Sequence, residues 1–365
     1  MNTPTTIFSG VEDPRQEWRC LHPLENILFI ALATMICNGE DFEDMVIFGE
    51  QNYEWLAECL DLSNGIPSHD TFNRVLQRLR PDSLLNSLKE DGQQLLDVVN
   101  EKQVILDGKK LRGVSPNQKG NKGLYILSAW VGENNICIGQ QKVKNKSNEI
   151  TAIPELLDSI ELAGATVSID AIGCQREIAQ KITQDCDAQY FLSLKKNQRN
   201  SYQIVEDAFR FHNPSKFDLM IEEGHGRKEE RKCTIISMAS LPEEEQLTGW
   251  EGLKTIVKIE SNRNVKGKES KQVRFYMSSE EISDPKYYNL LARGHWSIEN
   301  QLHWHLDVTF NEDACRARKD HSAENLNILR KIALQRISRM DDKLSKKKRR
   351  YKASMDHNYL ISIIS

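Results

Sequence analysis

The 365-residue chain lacks any Cys-x-x-Cys pair among its eight cysteines. That argues against a zinc ribbon and a disulfide framework, and fits reduced thiols in a cytosolic protein. It also lacks a run of apolar residues long enough to span a bilayer; the longest, Ile27 to Cys37, is too short and passes into polar sequence. No basic segment followed by an apolar core opens the chain, so no signal peptide is expected. Nothing in it resembles a nucleotide-binding loop. These absences point to a cytoplasmic protein with neither a membrane nor a nucleotide as partner. What is present is an uneven distribution of charge behind a net of −4. Residues 1–101 carry 18 acidic and 6 basic side chains, the remainder 35 and 43. A basic rear part behind an acidic front part suits a polyanion binder, although charge scattered over solvated faces gives the same totals.

Periodicity divides the chain in the same place. Residues 22–36 predict a buried helix with Pro23 in its first turn, followed by helices over 41–48 and 50–60. Ser68 caps a helix whose Phe72, Val75, Leu76 and Leu79 share one face, and 82–99 is amphipathic. The first hundred residues are therefore expected to be all-helical. A helix-turn-helix reader of bases is one use for such a segment, but its acidity favours packing or end recognition. From Gln103 the pattern changes to a strand at 104–106, a hairpin of 124–131 and 136–143 joined by Gly132-Glu-Asn-Asn, a helix at 149–162, a strand at 166–169, a helix at 175–185 and a strand at 189–194. This predicts a mixed α/β sheet, with its order that of ribonuclease-H-like nucleases. Charge-rich β-like runs at 217–223, 228–239, 253–262 and 272–277 read as an antiparallel insertion. Helices at 284–293 and 323–337 follow. The Lys346-Lys-Lys-Arg-Arg segment has no amphipathic period and reads as a mobile basic arm near DNA or a solubilising tail.

Three acidic residues stand out in this frame. Asp107 and Asp170 close the apolar runs Val-Ile-Leu-Asp and Val-Ser-Ile-Asp, and Glu299 lies in the helical stretch His-Trp-Ser-Ile-Glu-Asn. Two carboxylates at strand ends and one on a helix offer hard oxygen ligands for Mg²⁺ or Mn²⁺. Two such ions about 3.5–4 Å apart can serve the two sides of a phosphate under attack. Taken singly, each acid has an ordinary reading: an Asp-Gly turn for Asp107 and a helix cap for Asp170. Lys109, Lys110 and Arg112 beside Asp107 supply counter-charge for a DNA strand, as do Lys195, Lys196 and Arg199 after the 191–194 strand, and Arg316, Arg318 and Lys319 after Phe310. Lys142, Lys144 and Lys146 follow the hairpin. His295 and His303 flank Glu299 at helical spacing, and read as contacts to phosphate or to the metal-binding carboxylate. A zinc site made of these two and Glu299 is the alternative, but it leaves Asp107 and Asp170 unexplained and lacks His-Glu-x-x-His. Asn300 can orient a ligand oxygen or simply support packing. Trp296 and Trp304 read as core, with stacking on an unpaired base as the other use.

Three segments carry a resemblance. Ile105-Leu-Asp-Gly-Lys-Lys-Leu-Arg-Gly, Ser168-Ile-Asp-Ala-Ile-Gly-Cys-Gln-Arg-Glu-Ile-Ala and the long run from Arg293 through Asp313 are similar to the three catalytic blocks of DDE transposases. The bacterial insertion-sequence group that includes the H-repeat-associated proteins of Rhs elements is the one resembled. Gly65-Ile-Pro-Ser-His-Asp-Thr-Phe-Asn-Arg-Val resembles the helical associated domain of that group. The resemblance implies a helical domain over 1–101, a ribonuclease-H-like catalytic domain over 102–340 with a β-rich insertion at about 217–280, and a basic tail over 341–365. By position it makes Asp107, Asp170 and Glu299 the catalytic triad, ligating two Mg²⁺ or Mn²⁺ ions. Relatives often carry a Tyr and an Arg before the glutamate and a Lys after it; here Ala292, His295 and Leu306 occupy those places, with His295 or Arg293 as substitutes for the arginine.

The expectation is thus a cytoplasmic, nucleoid-associated transposase. It cuts double-stranded DNA at the terminal repeats of its element, joins the 3′-hydroxyl to target DNA, and acts as at least a dimer. A junction resolvase of the same fold and an inactive DNA-binding remnant are the competing readings.

Overall fold

The computed structural model describes all residues except 1–6, 17, 19, 94–100, 115–123, 144–148, 213, 215 and 225. Lys144, Lys146 and the end of the helix expected at 82–99 lie outside the described residues.

Five helices come first: α1 (Leu24–Ile36), α2 (Phe42–Gln51), α3 (Tyr53–Ala57), α4 (His69–Arg78) and α5 (Pro81–Gln93). Nearly every residue of α1 is buried, as a helix apolar all round must be. Pro23 precedes its first turn, where a missing N–H costs nothing. Asp41 and Asp44 form a reciprocal cap on α2, and the Ser68 hydroxyl accepts from the Thr71 N–H at the start of α4.

Nine strands form one sheet: β1 (Gln103–Lys110), β2 (Tyr125–Val131), β3 (Ile136–Val143), β4 (Thr166–Ile169), β5 (Gln189–Leu194), β6 (Phe217–Gly224), β7 (Arg227–Ser237), β8 (Thr255–Val265) and β9 (Lys268–Ser278). Their order is β3-β2-β1-β4-β5-β9-β8-β7-β6. Only β1–β4 and β4–β5 are parallel. The charge-rich strands therefore continue the central sheet, because β9 pairs with β5. Asp107 lies within β1, which runs on to Lys110, rather than closing a short strand. Two helices connect the central strands, α6 (Glu149–Asp158) and α7 (Arg176–Gln180), which continues as a π-helical turn to Asp185, and α8 (Arg199–Phe211) leads from β5 to the charge-rich strands. The sequence reading did not anticipate α8.

Side-chain alternation sends β1 into two cores. Val104 and Leu106 pack with residues of α6, α7 and α8. Ile105 packs on the other face, with α1 to α5 and with the C-terminal helices. On that face α9 (Pro285–His295) passes into π-helical segments over Ile298–His303 and His305–Thr309, and α10 (Ser322–Ser338) runs buried along most of its length. The mixed sheet is covered by helices on both sides.

The mobile basic arm is corrected by the structure. Residues beyond 340 form α11 (Lys346–Ala353) and α12 (His357–Ile364), and Ala353, Leu360, Ile363 and Ile364 enter the same core as α1. Arg349 and Arg350 are buried because carbonyls take up their N–H groups. Arg349 donates to Ile337 O, and Arg350 to Met35 O and Thr309 O. No helix among the described residues is long and apolar enough to cross a membrane.

Candidate active site

The parallel register of β1 and β4 sets Leu106 beside Ile169, so the next residues on the two strands are Asp107 and Asp170. The chain turns at Asp170, whose Oδ1 accepts the Ile172 N–H at 3.0 Å, and α7 begins only at Arg176. The carboxylate therefore supports a turn and is not the helix cap. Glu299 stands exposed on the first π-helical turn after α9, held there by Ile298 and Leu302, both buried in the core below. Asp107, Asp170 and Glu299 line one cavity of about 230 Å³, together with Ser193, Lys195, Arg274 and His295 among others.

The electrostatics follow from this placement. Burial, followed by the negative charge of Asp170 and smaller effects of Glu149 and Glu299, pushes the Asp107 carboxyl up to about 7. Glu149 was not singled out in the sequence, where it is an ordinary acid at a helix start. It packs over Gly108 so closely that a Cβ there would collide with its Oε1. Burial drives the His303 ring down to about 3, with Lys331 and Lys109 adding to the effect. Its Nδ1 lies 3.5 Å from Asp107 Oδ2, so this is a contact of a neutral ring with the carboxyl rather than an ion pair. His295, held down to about 4 chiefly by burial, sits 3.1 Å from Ser168 Oγ.

The two histidines thus face different partners across a π-helical stretch, which breaks the i, i+4 spacing behind the zinc alternative. Among the described residues no three His, Cys, Asp or Glu side chains are gathered as a ready metal site. The donors around the cavity are nonetheless hard oxygens, and the burial and neighbouring like charge that raise Asp107 are both offset by a divalent cation. In donor type and in charge the cavity fits Mg²⁺ or Mn²⁺.

The other candidates separate into groups. Lys195 lines the cavity. Lys110, Arg112, Lys196 and Arg199 are exposed nearby in sequence, with Lys110 over the Tyr125 ring and Lys196 over that of Tyr202. Lys109 is corrected: its side chain shares Asp107's face of β1 and is buried, with Nζ 2.7 Å from Asp307 and 2.9 Å from Glu312. His303, also buried, is likewise no surface contact for DNA. Arg293 bonds Glu222 at 3.0 Å, and Asn300 donates to Trp296 O. Arg316, Arg318 and Lys319 line a different cavity, of about 530 Å³, against α2 and α4. Lys142 is paired with Glu324 at 3.2 Å. Leu306 is core, and Trp296 and Trp304 are both partly exposed.

Comparison with known proteins points in one direction. Residues 100–336 match the family described as Transposase DDE domain, and residues 5–90 match one described as DDE_Tnp_1-associated. "H repeat-associated putative transposase YhhI" of Escherichia coli (strain K12) is 34% identical, over 98% of this chain and 96% of its own. "Putative protein YbfL" of the same strain is 34% identical with the same coverage. Among solved structures, a piggyBac transposase synaptic complex with hairpin DNA aligns over 96% of this chain and 75% of its own, at 11% identity and a TM-score of 0.43, too low to assign a fold.

Proposed function

The chain belongs to the DDE transposase family, in the group that includes the H repeat-associated proteins, and on that premise we propose that it cuts the ends of its own element and joins them to target DNA at the cavity lined by Asp107, Asp170 and Glu299. One observation carries the reading. Three carboxylates from distant parts of the chain border one cavity, and burial, followed by the charge of Asp170, raises Asp107 to about 7. Bound there, Mg²⁺ or Mn²⁺ supplies charge stabilisation on both sides of the phosphate and lowers the proton affinity of the attacking oxygen.

The chain's own residues do the rest. Asp107 and Asp170 are fixed by adjacent strands and Glu299 by a turn rooted in the core, so the donor set is preorganised. Lys195 and Arg274 face the same cavity and offset the charge of a bound phosphate. His303 holds the Asp107 side chain in place. No nucleotide is needed, since one phosphodiester is exchanged for another. The strand order β3-β2-β1-β4-β5, with only β2 antiparallel to its neighbours, supports a ribonuclease-H-like reading of 102–340. We read 1–101 as the associated helical domain, 217–280 as the insertion and 341–365 as a C-terminal extension docked on α1 and α10. Two ends must be cut together, so the acting form on DNA is at least a dimer.

The test is a strand-cleavage and joining assay. The protein is incubated with Mg²⁺, a plasmid target and linear DNA bearing the repeats that flank its gene. Nicking at the repeat boundary and joining of that end to the plasmid are expected. Asp170→Asn abolishes both while DNA is still bound, and omission of the divalent ion does the same. Cutting of four-way junctions alone makes the protein a resolvase; binding with no cutting by the unmodified chain makes it a remnant.

A further inference from the structure

The carboxylate cavity does not end at Glu299. A second cavity of about 340 Å³ adjoins it, and Gln272, Arg274, Tyr276, Trp296 and Glu299 line both. One face of the inserted strands forms its floor. Cross-strand register sets Glu229 beside Arg263 and Arg263 beside Ser270, then Arg231 beside Ser261 and Ser261 beside Gln272. Lys232, Glu260 and Val273, also register neighbours, point to the opposite face. Five arginines line this cavity (Arg227, Arg231, Arg263, Arg274 and Arg293) against only two carboxylates, Glu229 and Glu299.

Their pairing is incomplete. Arg227 holds Glu229 at 2.7 Å, while Arg231 and Arg293 share a single oxygen of Glu222 at 2.7 and 3.0 Å. Arg263 and Arg274 have no carboxylate partner among the described residues. Arg231 is only 7% exposed, and its Nε makes no hydrogen bond, an orphaned buried donor that calls for an acceptor. Arg274 lies 4.8 Å from the centre of the Trp296 ring, which is 38% exposed. Planar guanidinium forks match phosphate oxygens in pairs, and an open aromatic ring accepts a base face whatever its sequence. The size is that of a site for one small ligand, which suits a single backbone.

We propose that the arginine face of the inserted sheet is a binding site for one unpaired DNA strand, running from the carboxylate cavity across β9, β8 and β7. The proposal rests on the reading of that cavity as a DNA-cutting site. The inserted strands then act as a track that determines how a single-stranded end lies as it leaves the scissile phosphate.

Binding of the full-length protein to three labelled DNAs, a blunt duplex, the same duplex with a single-stranded overhang and the overhang alone, is measured by anisotropy over a range of salt. Arg263→Ala is expected to weaken binding of the overhang and the free strand and to lower the salt slope by about 0.7, leaving the blunt duplex as before. Lys271→Ala, on the opposite face, is the control and changes none of the three. Equal weakening on blunt and overhanging DNA, or no change on either, overturns the proposal. An Arg263-dependent overhang slope in a protein that cuts no DNA supports the strand site while sinking the catalytic reading, so the two fail separately.

Discussion

Two charged clusters flank the carboxylate cavity, and they are built on opposite terms. Behind it, Lys109 on β1 meets Asp307 and Glu312, and Glu312 meets Asn327 at 2.8 Å and Arg330 at 3.6 Å. Glu312 and Lys331 are each 1% exposed, and Lys331 donates to Ser128 and Gln140. In front, the arginines lining the inserted sheet outnumber their acids, and all but Arg231 stay in reach of water. A stretch of sequence dense in Lys, Arg, Asp and Glu says nothing of which kind it will make. What separates them is pairing. Each cation of the rear cluster has a partner, Lys109 and Arg330 in carboxylates and Lys331 in Ser128 and Gln140, so the cluster fastens β1 to α10, although Arg330 Nη1 and Asn327 Oδ1 make no hydrogen bond. The front cluster is short of carboxylates, and that shortage is the ground for the proposed strand site.

The comparison is tested hardest at Glu312. Burial alone pulls its carboxyl up, but Lys109 and Arg330 outweigh that and hold it below its ordinary value. Glu312→Ala leaves the buried Arg330 without its carboxylate and Lys109 with Asp307 as its one close carboxylate, and the expected loss is about 3–5 kcal/mol of stability, read as the shift in a urea unfolding curve at constant slope. A loss under about 1 kcal/mol, the level of exposed pairs, means the rear cluster is hydrated and no different from the front one.

The contrast also shows what the sequence carried. The apolar runs at 125–131, 136–143, 166–169 and 189–194 fold as the strands expected, and the parallel pairing of β1 with β4 follows from an intervening hairpin and helix. The proximity of Asp107 and Asp170 was legible for that reason. The burial of Lys109 had a signal too, since the residue two beyond Asp107 on a strand shares its face. Other features had none. Six of the eight residues of α11 are Lys or Arg, and only carbonyls from α1, from α10 and from the segment before α10 reveal why two of them can be buried. Glu149 looks like any acid at a helix start, and its place over Gly108 depends on how α6 folds back on β1. The joining of the insertion to the main sheet is a β5–β9 pairing made across some eighty residues, which no local pattern encodes.

At the front, Glu222 offers the matching substitution. Its side chain is about one third exposed. Burial raises its carboxyl, and Arg293 and Arg231 together override this to leave it below the ordinary value. Solvent screens such pairs, so Glu222→Gln is expected to cost less than about 1 kcal/mol. It also removes the one acid holding two groove arginines, so overhanging DNA is expected to bind more tightly at low salt, with the gain vanishing at high salt. Weaker binding means that Glu222 orients those arginines instead of competing for them. A loss of several kcal/mol erases the distinction between the clusters.

The smallest effect belongs to a third pair, in the C-terminal extension, where charge is saturated but close to the surface. The Tyr359 hydroxyl donates to Asp342, and this bond, aided by Arg349, holds the Asp342 carboxyl down to about 2. A folded-state value below the ordinary 3.8 means the unfolded chain binds the proton first as pH falls. The contribution is therefore complete above about pH 5 and is lost as pH drops through 4 towards 2. Tyr359→Phe removes most of it at neutral pH, by less than about 1 kcal/mol for so exposed a carboxyl. The difference in melting temperature between the two proteins should shrink steadily from pH 5 to pH 2. A difference that stays constant over that range assigns the tyrosine's role to packing against α11 and removes Asp342 from the set of paired charges.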